Sequence, residues 1–270
     1  MTCRNARTGG HRRPLRDCCL KIVILRGAAG EQGITAIGTA DGRWLLVNVS
    51  ASVASQLGGA PPTPTLRGLR DADVRAIVLT DAQVEHAGGL LGLRDGAPID
   101  LYATPVVFEE LTSELPVLPV LEHYCGVHWR LVPVAGDQTV ATFRVEGMPT
   151  LEFTAIATQV SQPLHTARRR ASVVGDSIAL AVLDRATGQR VFCAPGLERV
   201  GDIEFGWMRS ADCLLLDSPT GGVDIAGAVQ WLPQLPARHK VLFGGEGVLA
   251  PREWAELGVQ MAYDGMEIQL

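Results

Sequence analysis

The chain has 270 residues, of which 47% are hydrophobic and 20% charged, and its formal net charge is −5. This composition supports a sizeable core and excludes a disordered chain. The negative balance gives no basic surface for nucleic acid, and no apolar run approaches the roughly 18–20 residues that cross a bilayer. We therefore expect neither nucleic acid nor a membrane as a partner.

Residues 1–19 are predicted to form a basic, poorly ordered leader. Five arginines and a single acid, Asp17, lie in this segment. The apolar stretch from Cys18 to Leu25 is short and is interrupted by Lys21, so it does not resemble the hydrophobic region of a signal peptide. We expect a cytoplasmic protein in which residues 20–270 form one domain.

The first half of the chain begins with an antiparallel meander, because β-branched and apolar runs flank the hairpin signal Asp41-Gly42. In chain order, the pattern predicts strands at 21–25, 34–39 and 44–47, a helix capped by Ser50 and ending near Gly58, a Pro-rich loop at 59–68, a buried strand at 74–79, a helix starting at 87–93, a strand at 100–103 and a helix from Pro105 to about Thr112.

The second half repeats the arrangement of strands and turns. Strands are predicted at 128–133, 151–157, 178–183, 190–193, 213–216 and 240–243, and the segment 262–270 contains a last turn and a terminal strand. Cys193 and Cys213 lie inside apolar runs and are expected to be buried. Two similar halves that face one core predict an α/β fold of four layers, an αββα sandwich.

The segment from Leu79 to Leu90 is the most informative about function. It follows a buried strand and leads into a helix, and ligand sites tend to lie at the carboxyl ends of such strands. The pair Glu85 and His86 is open to two interpretations. It either contributes to a site or simply begins the next helix, where the helix dipole favours the carboxylate of Glu85.

This segment resembles the metal-binding loop of metallo-β-lactamase-fold proteins, T-H-x-H-x-D-H-x-G-G. Asp81 and Gln83 stand where that loop has its first two histidines, and Glu85 replaces its aspartate. His86 keeps the residue of the family.

Several further segments, in order along residues 20–270, resemble the pyrroloquinoline quinone (PQQ) biosynthesis protein B family. Thr80–Arg94 resembles its T-D-A-Q-I-D-H-T-A-G-L-L-S-L-R. The other matching segments are Trp44–Ser50, Leu66–Asp71, Leu121–His123, Ala194–Leu197, Ala211–Asp217 and Tyr263–Ile268.

The resemblance implies a metallo-β-lactamase-type αββα sandwich and a role in PQQ biosynthesis, as an iron-dependent hydroxylase of a tyrosine-derived precursor or as a carrier of PQQ. It implies Glu85, His86 and Asp217 as ligands of Fe(II) or another divalent metal, and Asp81, Glu85 and His86 as catalytic residues. The expected partners are a small-molecule quinone precursor and, in a homodimer, a second copy of the chain.

The chain departs from the family at several ligand positions. Val173 and Gly244 stand where the family has histidines, and Glu246 is a candidate replacement ligand. The family's segment after Asp217, G-T-K-T-G-x-x-M-G-H, is absent. His123 and His165 are candidates for lining the pocket.

The Cys-rich insert of the family's first loop is also missing. Cys3, Cys18 and Cys19 lie upstream of the first strand instead, so no structural zinc site is expected. Three functions therefore stay open: an oxygenase, a non-catalytic carrier of PQQ or its precursor, and an ordinary metallohydrolase. The loss of histidines disfavours the last, because generating hydroxide requires a well-anchored metal ion.

Overall fold

The structure is a computed structural model that describes residues 20–25, 34–59, 64–158, 172–195, 197, 199–217, 229–243 and 249–270. The side chains of Thr65, Leu66 and Asp217 are outside this description. The predicted leader at 1–19 lies outside the described residues.

In the described ranges, fourteen strands form two seven-stranded sheets. The first sheet has the order β14-β1-β2-β3-β4-β5-β6, and the second has the order β13-β12-β11-β10-β9-β8-β7. The strands are β1 (Lys21–Leu25), β2 (Ile34–Gly38), β3 (Trp44–Val47), β4 (Ala76–Val78), β5 (Ile99–Ala103), β6 (Val127–Leu131), β7 (Val140–Phe143), β8 (Leu151–Ala157), β9 (Ile178–Asp184), β10 (Arg190–Ala194), β11 (Cys213–Asp217), β12 (His239–Phe243), β13 (Gln260–Met261) and β14 (Glu267–Gln269).

Each sheet is antiparallel in one part and parallel in the other. In the first sheet β1, β2 and β3 form the predicted meander, and β3 to β6 run parallel. In the second sheet β7 to β10 are antiparallel, and β10 to β13 run parallel. Parallel neighbours end at the same edge of a sheet, which places the carboxyl ends of β3 and β4 side by side.

Helices connect the parallel strands and cover the outer faces of the sheets. They are α1 (Ala51–Gly58), α2 (Pro64–Asp71), α3 (Val84–Ala87), α4 (Pro105–Ser113), α5 (Val117–Leu121), α6 (Asp202–Arg209) and α7 (Pro251–Glu256), with 3-10 helices at Gly88–Leu93 and Leu232–Gln234.

Three apolar layers hold the four structural layers together. Side chains alternate across a strand, so Leu45 lies in the core between the sheets while Leu46 packs under the helices of the first sheet. In the second sheet Leu215 faces the same central core, and Leu214 packs with Trp254 of α7. These three cores confirm the predicted αββα sandwich.

Most predicted elements are confirmed to within one or two residues. Ser50 caps α1 by accepting a hydrogen bond from the backbone N–H of Val53, and Gly42 has a φ of +83° in the predicted hairpin turn. Cys193 and Cys213 are buried as expected. None of the helices in the described part of the chain is long and apolar enough to cross a membrane.

Two predictions need correction, and several elements were not predicted. The Pro-rich loop predicted at 59–68 is wrong from Pro64 onward, because Pro64 opens α2, and proline is well suited to the first position of a helix. The helix predicted from 87 starts earlier, as α3, and continues as a 3-10 helix. Within the described residues six short elements were missed: β7, β13, α5, α6, α7 and the 3-10 helix at Leu232–Gln234.

A pH effect on stability is predicted at His239, the first residue of β12. Burial, assisted by the charge of Arg238, lowers the pKa of His239 below its ordinary value of 6.5. The unfolded chain therefore binds this proton more readily than the folded one, and the free energy of unfolding falls as the pH drops below about 6.5. In His239→Gln this part of the acid sensitivity should be lost.

The measurement is urea unfolding of the parent and of His239→Gln at about pH 7.5 and about pH 5.5. The matched control is His123→Gln, since His123 is exposed. An equal loss of stability in the parent and in His239→Gln would contradict the prediction.

Candidate functional site

The candidate site lies where the carboxyl ends of parallel strands from both sheets meet. Asn48 follows β3, and Thr80 and Asp81 follow β4. The backbone N–H of Ile178, the first residue of β9, donates to the carbonyl of Thr80 at 2.9 Å, which joins the two sheets at this edge.

The same edge contains the end of β11. Because β9 is antiparallel to β10, and β10 is parallel to β11, the start of β9 and the end of β11 lie at one edge of the second sheet. Asp217 is the last residue of β11, so its backbone is on the side of the molecule where Thr80 and Asp81 lie. The side chain of Asp217 is outside the described residues.

A buried pair of Asp81 and His86 forms the centre of the site. Nδ1 of His86 lies 2.8 Å from each carboxylate oxygen of Asp81. The two residues are 1% and 4% exposed. Two of the three predicted catalytic residues are therefore in direct contact.

The loop between them is shaped by backbone hydrogen bonds. The N–H of Gln83 donates to Oδ1 of Asp81 at 2.9 Å, and Gln83 is the N-cap residue of α3. The N–H of Val49 donates to the carbonyl of His86 at 2.7 Å, so α3 is anchored to the segment after β3. His86 is thus held at both its main chain and its ring.

Gly89 permits a close contact between this loop and the start of α1. Its N–H donates to the carbonyl of Val49 at 3.0 Å. A Cβ atom at this position would lie 2.2 Å from the carbonyl oxygen of Ser50, which leaves no room for any side chain. Gly88, directly before it, would place a Cβ atom at an ordinary 3.5 Å from Val84.

The other predicted residues are placed as follows. The side chain of Glu85 is exposed, as is that of His123. Val173, at the position of a family histidine, is 44% exposed. His165, Gly244 and Glu246 lie outside the described residues, as do Cys3, Cys18 and Cys19. Within the described ranges, no group of three His, Cys, Asp or Glu side chains is arranged to hold a metal ion.

Sequence reasoning missed four polar residues at this edge. Asn48 and Thr80 are fully buried and hydrogen-bonded to each other. Asp176 and Ser177, just before β9, are also buried, and the hydroxyl of Ser177 lies 3.1 Å from that of Thr158. The sequence signal that could have identified these residues is their position directly after or before a predicted strand, since the ends of those strands meet at this edge.

The chemistry of the central pair fits a divalent metal ion. A metal-binding histidine commonly donates its second ring N–H to a carboxylate, which fixes the ring and strengthens the other nitrogen as a ligand. Asp81 is placed to accept that hydrogen from His86. Of the three ligands that the resemblance implies, His86 has its ring oriented by Asp81. Glu85 precedes His86 on α3, and Asp217 is the last residue of a strand that ends at the same edge.

The contact at Gly89 gives a matched pair of substitutions. Gly89→Ala should destabilise the protein by about 1–3 kcal/mol, because the new methyl group overlaps the carbonyl of Ser50. Gly88→Ala should leave stability unchanged or slightly raised, because it adds only an ordinary contact in a helical backbone. Urea unfolding measures both, and equal stabilities of the two variants would contradict the assigned contact.

Comparisons with known proteins agree with this fold. Residues 43–244 match the family model described as a β-lactamase superfamily domain. In the solved structure of Zn²⁺-bound PqqB from Methylobacterium extorquens, the fold matches with a TM-score of 0.72 at 21% identity, covering 93% of this chain and 100% of that one. The short form of human tRNase Z matches with a TM-score of 0.55 at 14% identity, covering 92% and 98%.

Sequence relatives are more specific. Coenzyme PQQ synthesis protein B of Nitrosococcus oceani is 39% identical over 91% of this chain and 90% of its own length. The protein of the same name from Azoarcus sp. (strain BH72) is 34% identical over 93% of this chain and 91% of its own length. The chain therefore belongs to the coenzyme PQQ synthesis protein B family, within the β-lactamase superfamily.

Proposed function

We propose that this protein acts in PQQ biosynthesis as an Fe(II)-dependent hydroxylase of a tyrosine-derived precursor. The family of relatives supports the pathway, and those relatives match about nine-tenths of the chain. The observation that supports a metal-dependent reaction is the ring of His86, whose Nδ1 faces the carboxylate of Asp81 at 2.8 Å.

In this proposal Glu85, His86 and Asp217 hold the ion. One imidazole and two carboxylates are the ligand types of the oxygen-activating ferrous sites, although those sites commonly have two histidines. When bound, a ferrous ion supplies open positions for oxygen and substrate. Asp81 holds the hydrogen on Nδ1 of His86 and keeps the ring in one orientation, and burial of this pair keeps bulk water from competing for the hydrogen bond.

A carrier for PQQ or its precursor is the second candidate. It is favoured by Val173, an exposed apolar side chain at a position where the family has a histidine. Such a residue can contact an aromatic ligand but cannot bind a metal. A carrier would keep the family's binding pocket without needing the ion.

Metal content separates the two candidates. After anaerobic reconstitution the parent protein should hold stoichiometric iron, and His86→Ala should lose it, because this substitution removes the imidazole ligand. The control is His123→Ala, which removes an exposed histidine and should keep the iron. Iron is measured by mass spectrometry against protein concentration, with circular dichroism to confirm folding.

Substoichiometric iron in the parent, or equal iron in His86→Ala, would contradict the hydroxylase. The carrier instead predicts a thermal shift with PQQ that is the same with and without a chelator. A shift that disappears when the chelator is added would contradict the carrier.

A further inference from the structure

Four buried polar side chains, those of Asn48, Thr80, Asp81 and His86, are linked by a continuous series of hydrogen bonds. Asn48 and Thr80 are each 0% exposed, and Asp81 and His86 follow with 1% and 4%. In a low-dielectric interior each such group needs a partner, and each partner restricts the next. The first of these residues lies directly after β3 and the last lies on α3, so the hydrogen bonds join two separate elements of the site.

Asn48 adopts an uncommon backbone conformation at the start of this series of hydrogen bonds. Its φ is +61°, in the left-handed region that asparagine tolerates better than most residues other than glycine. Its N–H still donates to the carbonyl of Val78 at 2.9 Å, so the sheet is continued on that side. Backbone strain of this kind persists where the surroundings determine it, and it is concentrated at functional sites.

The direction of the hydrogen bonds follows from the groups themselves. The N–H of Thr80 donates to Oδ1 of Asn48 at 3.0 Å, which fixes the carboxamide orientation. Nδ2 of Asn48 then donates to the hydroxyl of Thr80 at 2.9 Å. The hydroxyl of Thr80 lies 3.1 Å from Oδ1 of Asn48 and 3.2 Å from Oδ2 of Asp81. We assign its hydrogen to the carboxylate, because Oδ1 of Asn48 already accepts the N–H of Thr80 and a carboxylate is the stronger acceptor.

The carboxylate of Asp81 is consequently held by donors on two sides. Oδ2 accepts from Thr80, and Oδ1 accepts from the N–H of Gln83. An ionised carboxylate only accepts hydrogen bonds, so Nδ1 of His86 must carry the hydrogen in their contact. In a neutral ring the lone pair is then on Nε2.

We propose that Asn48 and Thr80 are positioning residues that act through Asp81 to hold His86 as its Nδ1–H tautomer. Asp81 stands where the superfamily loop has its first metal-binding histidine. In this protein Asp81 orients the proposed ligand His86 and is not a metal ligand itself. The consequence for metal binding by Nε2 rests on the proposed function, whereas the tautomer itself does not.

The test measures the tautomer by ¹⁵N NMR of histidine-labelled, full-length, metal-free protein at mildly alkaline pH. The His86 signals are identified by their absence from His86→Gln. The parent should show Nδ1 protonated and Nε2 unprotonated. In Asp81→Asn the new amide can donate to Nδ1, so the Nε2–H form should appear.

Two matched variants test the more distant residues. Thr80→Val removes the hydroxyl while keeping the shape, and should give a mixture of tautomers; Thr80→Ser restores the hydroxyl and should give the parent spectrum. Asn48→Gly removes the carboxamide while tolerating the positive φ, and should behave like Thr80→Val.

Binding of Fe(II) is measured separately on the same variants. Thr80→Val and Asn48→Gly should bind it roughly 10–100-fold more weakly than the parent, and Thr80→Ser should not differ. A parent His86 in the Nε2–H form would overturn the proposal, as would parent-like spectra in both Thr80→Val and Asn48→Gly. If one of these two variants fails to fold, the other variant decides together with the parent spectrum. If the parent protein shows the Nδ1–H tautomer of His86 but binds no iron, the result counts against the proposed function alone.

Discussion

Strands that are apolar on both faces impose the architecture of this protein. Leu45 and Leu46 are both fully buried, although they point to opposite sides of the first sheet. Leu214 and Leu215 do the same in the second sheet. A sheet of this kind must be covered twice, so one face packs on the other sheet and the other face packs on helices. The four layers follow from that requirement.

The same requirement decides where polar chemistry can be placed. Because the central strands are buried on both faces, the polar side chains of a site are best placed at strand ends, and the parallel strands bring their carboxyl ends to one edge. Thr80 and Asp81 are at the end of β4, and the bond from Ile178 brings the second sheet to them. A buried His–Asp pair is stable there because Thr80 and Gln83 satisfy the carboxylate, whereas desolvation without such partners costs several kcal/mol per ion.

The fold could be predicted from the sequence, as could the two central residues of the site, Asp81 and His86, but the roles of Asn48 and Thr80 could not. Runs such as Trp44–Val47 and Cys213–Leu216 identified strands because they are apolar throughout, and Ser50 identified a cap. The short helix α5 was missed because five residues give too little periodicity to be recognised. Asn48 lies in a segment that resembles the family, but its role depends on a contact with Thr80, 32 positions away, which is set by strand pairing.

The pairing of Asp81 with His86 changes what kinship implies about chemistry. An aspartate at the first histidine position of the loop could be interpreted as a substitute ligand or as the loss of one. The structure gives it a third role, since both of its oxygens lie 2.8 Å from Nδ1 and each also accepts a hydrogen bond from the loop. An imidazole held in this way is a better single ligand than a mobile one, because its orientation is already fixed before an ion arrives. A loop with fewer histidines can therefore remain suited to a metal, provided that carboxylates complete the set and that the polar residues behind Asp81 are retained.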